Sequence, residues 1–312
     1  MVATSTLRKS IGGIAQNWLA TGLRVWALFV LTLHIAAYQL PEAVGWSVWP
    51  YTFLPAWLGW TLALLAGLLI IPAVNDAVYS GLGWFGQGLV QIVQPVHASQ
   101  KVWFALIALL SCIFFWLARL QHLRWGDSYL LSVALSYPDL DLRVVYNWQA
   151  PLTVFLHQRL WQFVAEPWLG WPVKSVYAVI SVISGVLFVY VLLNFAARLG
   201  RTGMEVIVIA GMVLTTGSMQ VFFGYVENYT VVSLGLLVTL FLGWKTAHRE
   251  LALVWPVMGL SVTNAFHPST VFLWPGMLLL AYLSWRRQHA SLLSGALQTI
   301  LPPLIIAALV LA

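Results

Sequence analysis

The chain has 312 residues, of which 61% are hydrophobic and only 8% are charged. A typical soluble domain is about 45–50% apolar and about 25% charged, so this composition excludes an ordinary soluble enzyme, a disordered chain and a nucleic-acid-binding domain. The mean hydropathy of +0.87 indicates a multi-span membrane protein whose first partner is the lipid bilayer. In a membrane protein, Lys and Arg residues near the ends of the spans set the orientation of the chain in the bilayer. We therefore interpret the net charge of +6 first in terms of orientation.

Apolar runs of helical length predict nine transmembrane helices, because a bilayer core takes roughly 20 residues of helix. The expected fold is an all-α, polytopic transmembrane helix bundle. The predicted spans lie near residues 24–40, 51–73, 102–120, 175–196, 204–222, 229–244, 250–265, 269–285 and 294–312.

Basic residues predict the orientation of these spans. With the N-terminus inside, ten Lys and Arg fall on inner segments, whereas five fall outside: Arg119, Arg124, Arg143, Arg159 and Lys174. The positive-inside rule favours this arrangement, and we expect a multi-pass protein of a bacterial plasma membrane with a cytoplasmic N-terminus. The last span reaches Ala312 without a polar tail, which predicts that the chain is a C-terminally truncated piece of a longer protein.

Two domains are predicted. Residues 1–101 form an N-terminal pair of transmembrane helices followed by a cytoplasmic-surface loop, and residues 102–312 form a seven-span module. The module contains one large outer loop, residues 121–173, whereas its other connections are short. Functional residues are therefore expected in this loop and at the ends of the spans beside it.

The outer loop has helical character in two places. Residues 128–137 form a short apolar run that Pro138 would end, and Pro151 is suited to the first position of a second helix. That helix has an apolar stripe, which comprises Leu152, Phe155, Leu156, Leu160, Phe163 and Val164. Its other face carries Thr153, His157, Gln158 and Gln162. The pattern predicts a layer of short amphipathic helices in the outer membrane interface.

Asp127 starts this layer, directly after the third predicted span. Asp is a common N-cap, so one interpretation is that it caps the short helix that follows. The other is a carboxylate held at the mouth of a membrane site, with His122 and Arg124 within about one turn of it. The two interpretations are compatible.

Two further outer turns carry polar residues. Glu227 lies in the sequence 222–230, FFGYVENYT, which leaves almost no polar loop between its two spans. A carboxylate at that depth usually faces a cavity and carries function, although it could also pair with an arginine for packing. His267 precedes Pro268 in the next outer turn. It is either a hydrogen-bonded structural residue or a third member of a site with Asp127 and Glu227.

This arrangement resembles the GT-C superfamily of integral-membrane glycosyltransferases, which use sugars linked to polyprenyl phosphate on the outer side of the membrane. The resemblance covers about residues 102–312 and is carried by Gly126-Asp127 after an outward span, the long outer loop, the short-looped spans and Glu227. It is nearest to the mannosyltransferase- and aminoarabinose-transferase-like members. Unlike many members, this chain has two additional spans before the module.

The resemblance implies roles for particular residues. Asp127 matches the family's catalytic base, and Glu227 matches a second acid at which some members bind a divalent cation, here Mg²⁺ or Mn²⁺. The expected partners are a polyprenyl-phosphate sugar donor and an acceptor of unknown chemistry. Basic side chains of the outer loop are candidates for the donor's phosphate. The full set of expected substrate-binding residues is His122, Arg124, Arg143, Arg159, Tyr225, Asn228 and His267.

Two alternatives stay open at this point. A transporter or channel would line its path with Glu227, Thr216, Gln220 and His267. It would need polar residues through the whole depth of the membrane, whereas the inner halves of the spans are apolar. A non-catalytic membrane scaffold subunit is the third possibility.

Overall fold

The computed structural model describes residues 2–37, 55–93, 99–123, 126–137, 150–288 and 292–311. Every regular element among these residues is a helix, and none of them lies in a β-strand. The all-α fold class is therefore confirmed for the described part of the chain. The chain divides into two compact units, residues 1–95 and 96–312.

The first unit contains three helices: α1 (Val2–Ala37), α2 (Ala56–Ile70) and α3 (Pro72–Val93). Helix α1 packs against α2, and α2 packs against α3. The axes of α2 and α3 differ by 95°. The bend lies at Ile71, whose backbone is extended (φ −70°, ψ 124°) because the residue before a proline avoids the helical region. A helix of the predicted surface segment thus runs at about a right angle to α2.

The second unit contains the remaining helices. They are α4 (Gln100–Leu117), α5 (Ser128–Ala134), α6 (Pro151–Leu160), α7 (Glu166–Leu169), α8 (Val173–Leu199), α9 (Gly203–Leu214), α10 (Tyr229–Ala247), α11 (Val254–Phe266), α12 (Trp274–Gln288) and α13 (Leu292–Leu311). A π-helical turn (Trp161–Ala165) joins α6 to α7, and 3₁₀ turns precede α10 (Gly217–Phe222) and α12 (Pro268–Leu273).

Helix α8 is the centre of this unit. It packs against α4, α6, α9 and α10. Of the apolar stretch of α8 that is long enough to cross a membrane, 56% is buried inside the protein. Its principal core is mainly aliphatic but contains a group of phenylalanines. The ring centroids of Phe188 and Phe222 are 4.8 Å apart, and those of Phe115 and Phe223 are 4.9 Å apart in an edge-to-face arrangement. Edge-to-face contacts of this kind stabilise beyond the area that they bury.

Each predicted span coincides with a helix, but these helices differ in length. Five are long and apolar enough to cross a membrane, or six when the bent pair α2–α3 counts as one. The five are Trp18–Ala37, Gln100–Leu117, Val173–Leu199, Tyr229–Ala247 and Leu293–Val310. The chain is therefore a multi-pass helical membrane protein. Four helices at predicted spans are shorter, with 15, 12, 13 and 15 residues for α2, α9, α11 and α12.

The helix predicted at Pro151 begins at that residue. Its polar face, including Thr153 and His157, is buried against the protein, whereas Phe155 and Phe163 are 54% and 57% exposed. The burial pattern of this helix is thus the reverse of that of a surface helix on a soluble protein, in which the apolar face is buried. An apolar outward face is what a lipid environment would cover.

The close packing of α8 can be tested by a substitution at Gly185. A Cβ atom at this position would lie 2.8 Å from Phe115 Cε2 and 2.8 Å from Phe222 Cβ. We therefore expect Gly185→Ala to destabilise the protein by about 1–3 kcal/mol through overpacking, measured as a lower thermal unfolding temperature in detergent. Gly211→Ala in α9 is the control, because nothing lies within 4 Å of the added methyl group. Equal unfolding temperatures for the two variants would contradict the packing described here.

Candidate functional site

Asp127 lies at the residue before α5, but its side chain makes no capping hydrogen bond. Its backbone is not helical (φ −90°, ψ 9°), and the residue is exposed. Asp127 therefore occupies the N-cap position that the capping interpretation expects, but its carboxylate does not accept a capping hydrogen bond.

The turn that carries Glu227 is fixed to its neighbours through Gly224. This glycine has φ +71°, and a Cβ atom there would lie 3.1 Å from Arg119 Cβ and 3.5 Å from Ala178 Cβ. The Gly224 N–H donates to Ser181 Oγ over 2.9 Å, while the Leu120 N–H donates to the carbonyl oxygen of Phe223 over 2.7 Å. Only glycine satisfies both the left-handed backbone and the close approach.

Glu227 reaches across to the turn that contains Asp127. Its Oε2 atom lies 3.1 Å from the point where a Cβ atom of residue 126 would be, and Gly126 has φ +57°. Burial raises the pKa of Glu227, the backbone amide of Asn228 lowers it, and the charge of Asp127 raises it further. Two carboxylates that are far apart in sequence thus interact electrostatically. We call Gly126, Asp127, Tyr225 and Glu227 the carboxylate site.

Pairing of Glu227 with an arginine is not seen in the described part of the chain. The ion pair found among these residues is Arg198–Glu250, at 3.3 Å. Arg124 and Arg143, which the sequence placed in the phosphate-binding set, lie outside the described residues.

A hydrogen bond holds the two turns of the carboxylate site together. The hydroxyl groups of Tyr225 and Ser128 are 2.6 Å apart, and both residues are buried. The ring of His122 meets that of Tyr225 at 6.2 Å between centroids. Tyr225, predicted to bind substrate, thus makes a buried link between the two turns. A bond of this kind contributes about 1 kcal/mol.

The polar face of α6 adds residues that the sequence did not assign to the site. His157 is 1% exposed and stacks on Tyr177 of α8 at 3.8 Å between ring centroids. Burial lowers its pKa from 6.5 to about 4, against a hydrogen bond to the Thr153 backbone that raises it, so the imidazole is neutral at neutral pH. Its Nδ1–H donates to the Thr153 carbonyl oxygen over 2.7 Å.

Several buried polar atoms near these turns lack a hydrogen-bond partner among the described residues. They are His157 Nε2, the Tyr177 hydroxyl group and Asn228 Oδ1. Tyr177 also interacts with the charge of Glu227, which places the stacked pair behind the carboxylate site. Buried polar atoms without partners are costly and often mark places that bind water or ligand groups. The sequence indicated that α6 has a polar face that includes His157. It did not show that this face is buried against the protein.

His267 is hydrogen-bonded, as the structural interpretation expects. Its Nδ1 accepts from the Ser269 backbone N–H over 3.2 Å and lies 2.8 Å from the Ser269 hydroxyl oxygen. Burial lowers its pKa. Its ring also lies 5.0 Å from that of Tyr229, two residues after Glu227. The third polar turn therefore borders the same end of the bundle.

Arg159 is directed toward aromatic rings. Its guanidinium group lies 5.2 Å from the centroid of Phe155 and 5.4 Å from that of Phe163, on the exposed apolar side of α6. It lines neither of the two cavities described below.

Two cavities lie in the second unit. The larger, about 630 Å³, is mainly apolar and lies among α11, α12 and α13, where Leu278, Ile300 and Leu304 line it. The smaller, about 370 Å³, lies between the end of α4 and the start of α8. Gly224 and Val226 belong to its wall, so it adjoins the turn that carries Glu227. Arg119 and Lys174 also line it, and both are absent from the set of phosphate-binding residues that the sequence predicted.

No group of three or more His, Cys, Asp or Glu side chains among the described residues could enclose a metal ion. The donors at the carboxylate site are nevertheless hard oxygen ligands. Mg²⁺ commonly keeps several waters and binds only one or two carboxylates, so Asp127 and Glu227 fit a hydrated ion of this type. A cation held at Glu227 stays a prediction.

Comparisons with protein-family models, with curated proteins and with solved structures found no match to this chain. The interpretation of the carboxylate site therefore depends on its own geometry and on the resemblance in layout described above.

The raised pKa of Glu227 predicts a pH-dependent stability. Ionisation costs the folded state more than the unfolded chain, so stability falls as pH rises from the ordinary glutamate value through the raised value. We expect Glu227→Gln to unfold at a higher temperature than the wild type at about pH 7, and the difference to shrink at about pH 4, near the ordinary pKa.

Glu166→Gln is the control for this measurement, because Glu166 is exposed on α7. A stability difference for Glu227→Gln that does not change between the two pH values would contradict the inferred cost of burying its charge.

Proposed function

We propose that the chain is a membrane glycosyltransferase that moves a sugar from a polyprenyl-phosphate donor to an acceptor on the outer side of the membrane. The observation that carries the proposal is that Glu227 reaches the turn of Asp127: its Oε2 atom lies 3.1 Å from the point where a Cβ atom of residue 126 would be. The layout of the sequence predicts that these two acids share a site for this reaction. The absence of a capping hydrogen bond at Asp127 supports a chemical role for its carboxylate.

The two carboxylates differ in environment, which suits them to different roles. Asp127 is exposed, whereas Glu227 is more than half buried and has a raised pKa. Pairs of titratable groups whose environments separate their pKa values commonly divide acid and base chemistry. We assign Asp127 as the general base and Glu227 as the second acid.

In the proposed reaction the acceptor hydroxyl attacks the anomeric carbon of the donor sugar. Asp127 takes the proton of that hydroxyl as the new carbon–oxygen bond forms. The bond between the sugar and the lipid phosphate breaks, and the phosphate oxygen leaves with the electron pair. The growing negative charge on the phosphate needs a positive neighbour.

A divalent cation, Mg²⁺ or Mn²⁺, belongs to the proposal. Glu227 would hold it, with Asp127 close by, and the ion would supply positive charge near the leaving phosphate.

The proposed topology has nine spans, an inner N-terminus and an outer layer formed by α5, α6 and α7, in a bacterial plasma membrane. Helices at all nine predicted positions support it, as does the exposed apolar face of α6. Short helices at four spans are compatible with it where local thinning or adjoining 3₁₀ turns extend them. The carboxylate site then lies at the bilayer edge, which is where a lipid-linked donor would present its phosphate.

The transporter alternative receives less support. Thr216 and Gln220, which would line its path, are exposed, and the Thr216 hydroxyl lies 2.8 Å from that of Ser218. Neither of the two cavities described is lined by Thr216, Gln220, Glu227 or His267.

Loss of transfer in carboxylate variants is the test of this function. Because general-base catalysis commonly contributes about 10²- to 10⁴-fold, we expect Asp127→Asn to lower turnover by that range at normal protein level. The readout is the release of polyprenyl monophosphate in native membrane vesicles, which supply both the lipid-linked sugar donors and the acceptor, so that the acceptor need not be identified.

Glu166→Gln serves as the matched control, since this exposed carboxylate lies in the same loop but outside the carboxylate site. Full turnover by Asp127→Asn would contradict its role as base. Failure of the wild-type protein to release polyprenyl phosphate from any of these donors would contradict the transferase function itself.

A further inference from the structure

The cavity between α4 and α8 combines two cations with aromatic walls. Arg119 follows the end of α4 and Lys174 lies in the first turn of α8, so both belong to the same end of this helix pair. Trp116 and Trp171 also line the cavity, whose volume is about 370 Å³. None of its lining residues is an Asp or a Glu.

Neither cation is neutralised by a carboxylate in the described part of the chain. The ion pair found there involves Arg198 and Glu250. The Arg119 guanidinium instead lies 4.5 Å from the centroid of the Trp116 ring and donates a long hydrogen bond, 3.4 Å, to the Trp116 carbonyl oxygen. Two unneutralised cations around one cavity favour an anionic ligand.

The location of the cavity favours the phosphate group of a membrane lipid over a dissolved anion. It lies at the ends of α4 and α8, both of which are long and apolar enough to cross a membrane. Tryptophan side chains at such ends favour the level of the lipid headgroups, and basic pockets between membrane helices bind headgroup phosphates. A dissolved anion would not require a site at this depth.

We propose that Arg119 and Lys174 bind the phosphate group of a membrane lipid in this cavity. An arginine fork can hold phosphate oxygens in a bidentate manner, while a lysine adds a point charge. The phosphate could belong to an ordinary anionic phospholipid or to a polyprenyl phosphate. In the second case the assignment rests on the proposed function, and the wall formed by Gly224 and Val226 places the phosphate beside the turn of Glu227.

Lipid binding to the purified protein, measured by titration in native mass spectrometry, tests this site without any transfer reaction. The probes are polyprenyl monophosphate, phosphatidylglycerol and inorganic phosphate, each added to protein in neutral detergent. The variants are Arg119→Gln, Lys174→Gln and the pair. Lys245→Gln is the control, because Lys245 lies at the opposite end of α10 from Glu227 and above the Phe241 ring.

We expect the double variant to weaken lipid-phosphate binding by about tenfold or more, since each hydrogen bond to a charged group is substantial. The control should stay within about twofold of the wild type. Lys174→Arg, which keeps the charge, should retain binding. A loss seen with both lipids identifies a general headgroup site, whereas a loss confined to the polyprenyl lipid identifies the donor's phosphate.

Wild-type affinity for both lipids in the double variant would overturn the proposal, as would inorganic phosphate binding as tightly as the lipids. Either result would leave the role of Asp127 untouched, because that role is tested by turnover. Conversely, lipid binding that depends on Arg119 and Lys174 would stand even if no sugar transfer were found.

Discussion

Two close approaches, one at Gly126 and one at Gly224, are the constraint on which the carboxylate site depends: Gly126 faces Glu227, whereas Gly224 faces Arg119 and Ala178. Both residues have left-handed backbones, with φ +57° and +71°, and each faces another residue at about the contact distance of a missing Cβ atom. A larger side chain at either position would strain the left-handed backbone, and at Gly224 it would also crowd Arg119 and Ala178. At Gly126 the absence of a side chain lets the Glu227 carboxylate approach the turn that carries Asp127.

The surrounding structure explains why such a costly arrangement persists. Apolar side chains of α6 such as Phe155 are exposed, while its polar side chains Thr153, His157 and Gln158 are buried. In a membrane protein this distribution concentrates polar groups within the bundle, where burial raises the pKa of Glu227 and lowers that of His157. Groups with perturbed pKa values in a partly enclosed place are typical of functional sites.

The sequence predicted those features that depend on composition or on local signals. The helical class follows from the apolar composition, and the start of α6 follows from Pro151. Asp127 lies at the residue before α5, as its sequence position predicted, but without the capping hydrogen bond. The positions of helices were also predictable from the apolar runs. Their lengths were not, because turns such as Gly217–Phe222 and the break at Ile71 are set by packing and by local backbone conformation.

Contacts between residues far apart in the chain could not be predicted from the sequence, for a physical reason. A pattern of polar residues shows that α6 has two faces, but the face that meets α8 depends on which helix packs there. The stacking of His157 on Tyr177 and the joint position of Arg119 and Lys174 are consequences of that packing. A shared site for Asp127 and Glu227 was predicted from the polar outer turns and from the resemblance in layout, whereas the approach of Glu227 to Gly126 is a finding of the structure.

The most direct test of the central claim is a short cross-link between residues 127 and 227. The protein has one cysteine, so Cys112→Ala gives a background into which Asp127→Cys and Glu227→Cys can be introduced together. A short, membrane-impermeant bis-methanethiosulfonate is added to sealed membranes from the outer side, and the linked peptides are identified by mass spectrometry. The account predicts a link in this pair and none between Asp127→Cys and Glu250→Cys, which lies beyond the other end of α10. No link between positions 127 and 227, with both thiols reactive, would contradict a shared carboxylate site.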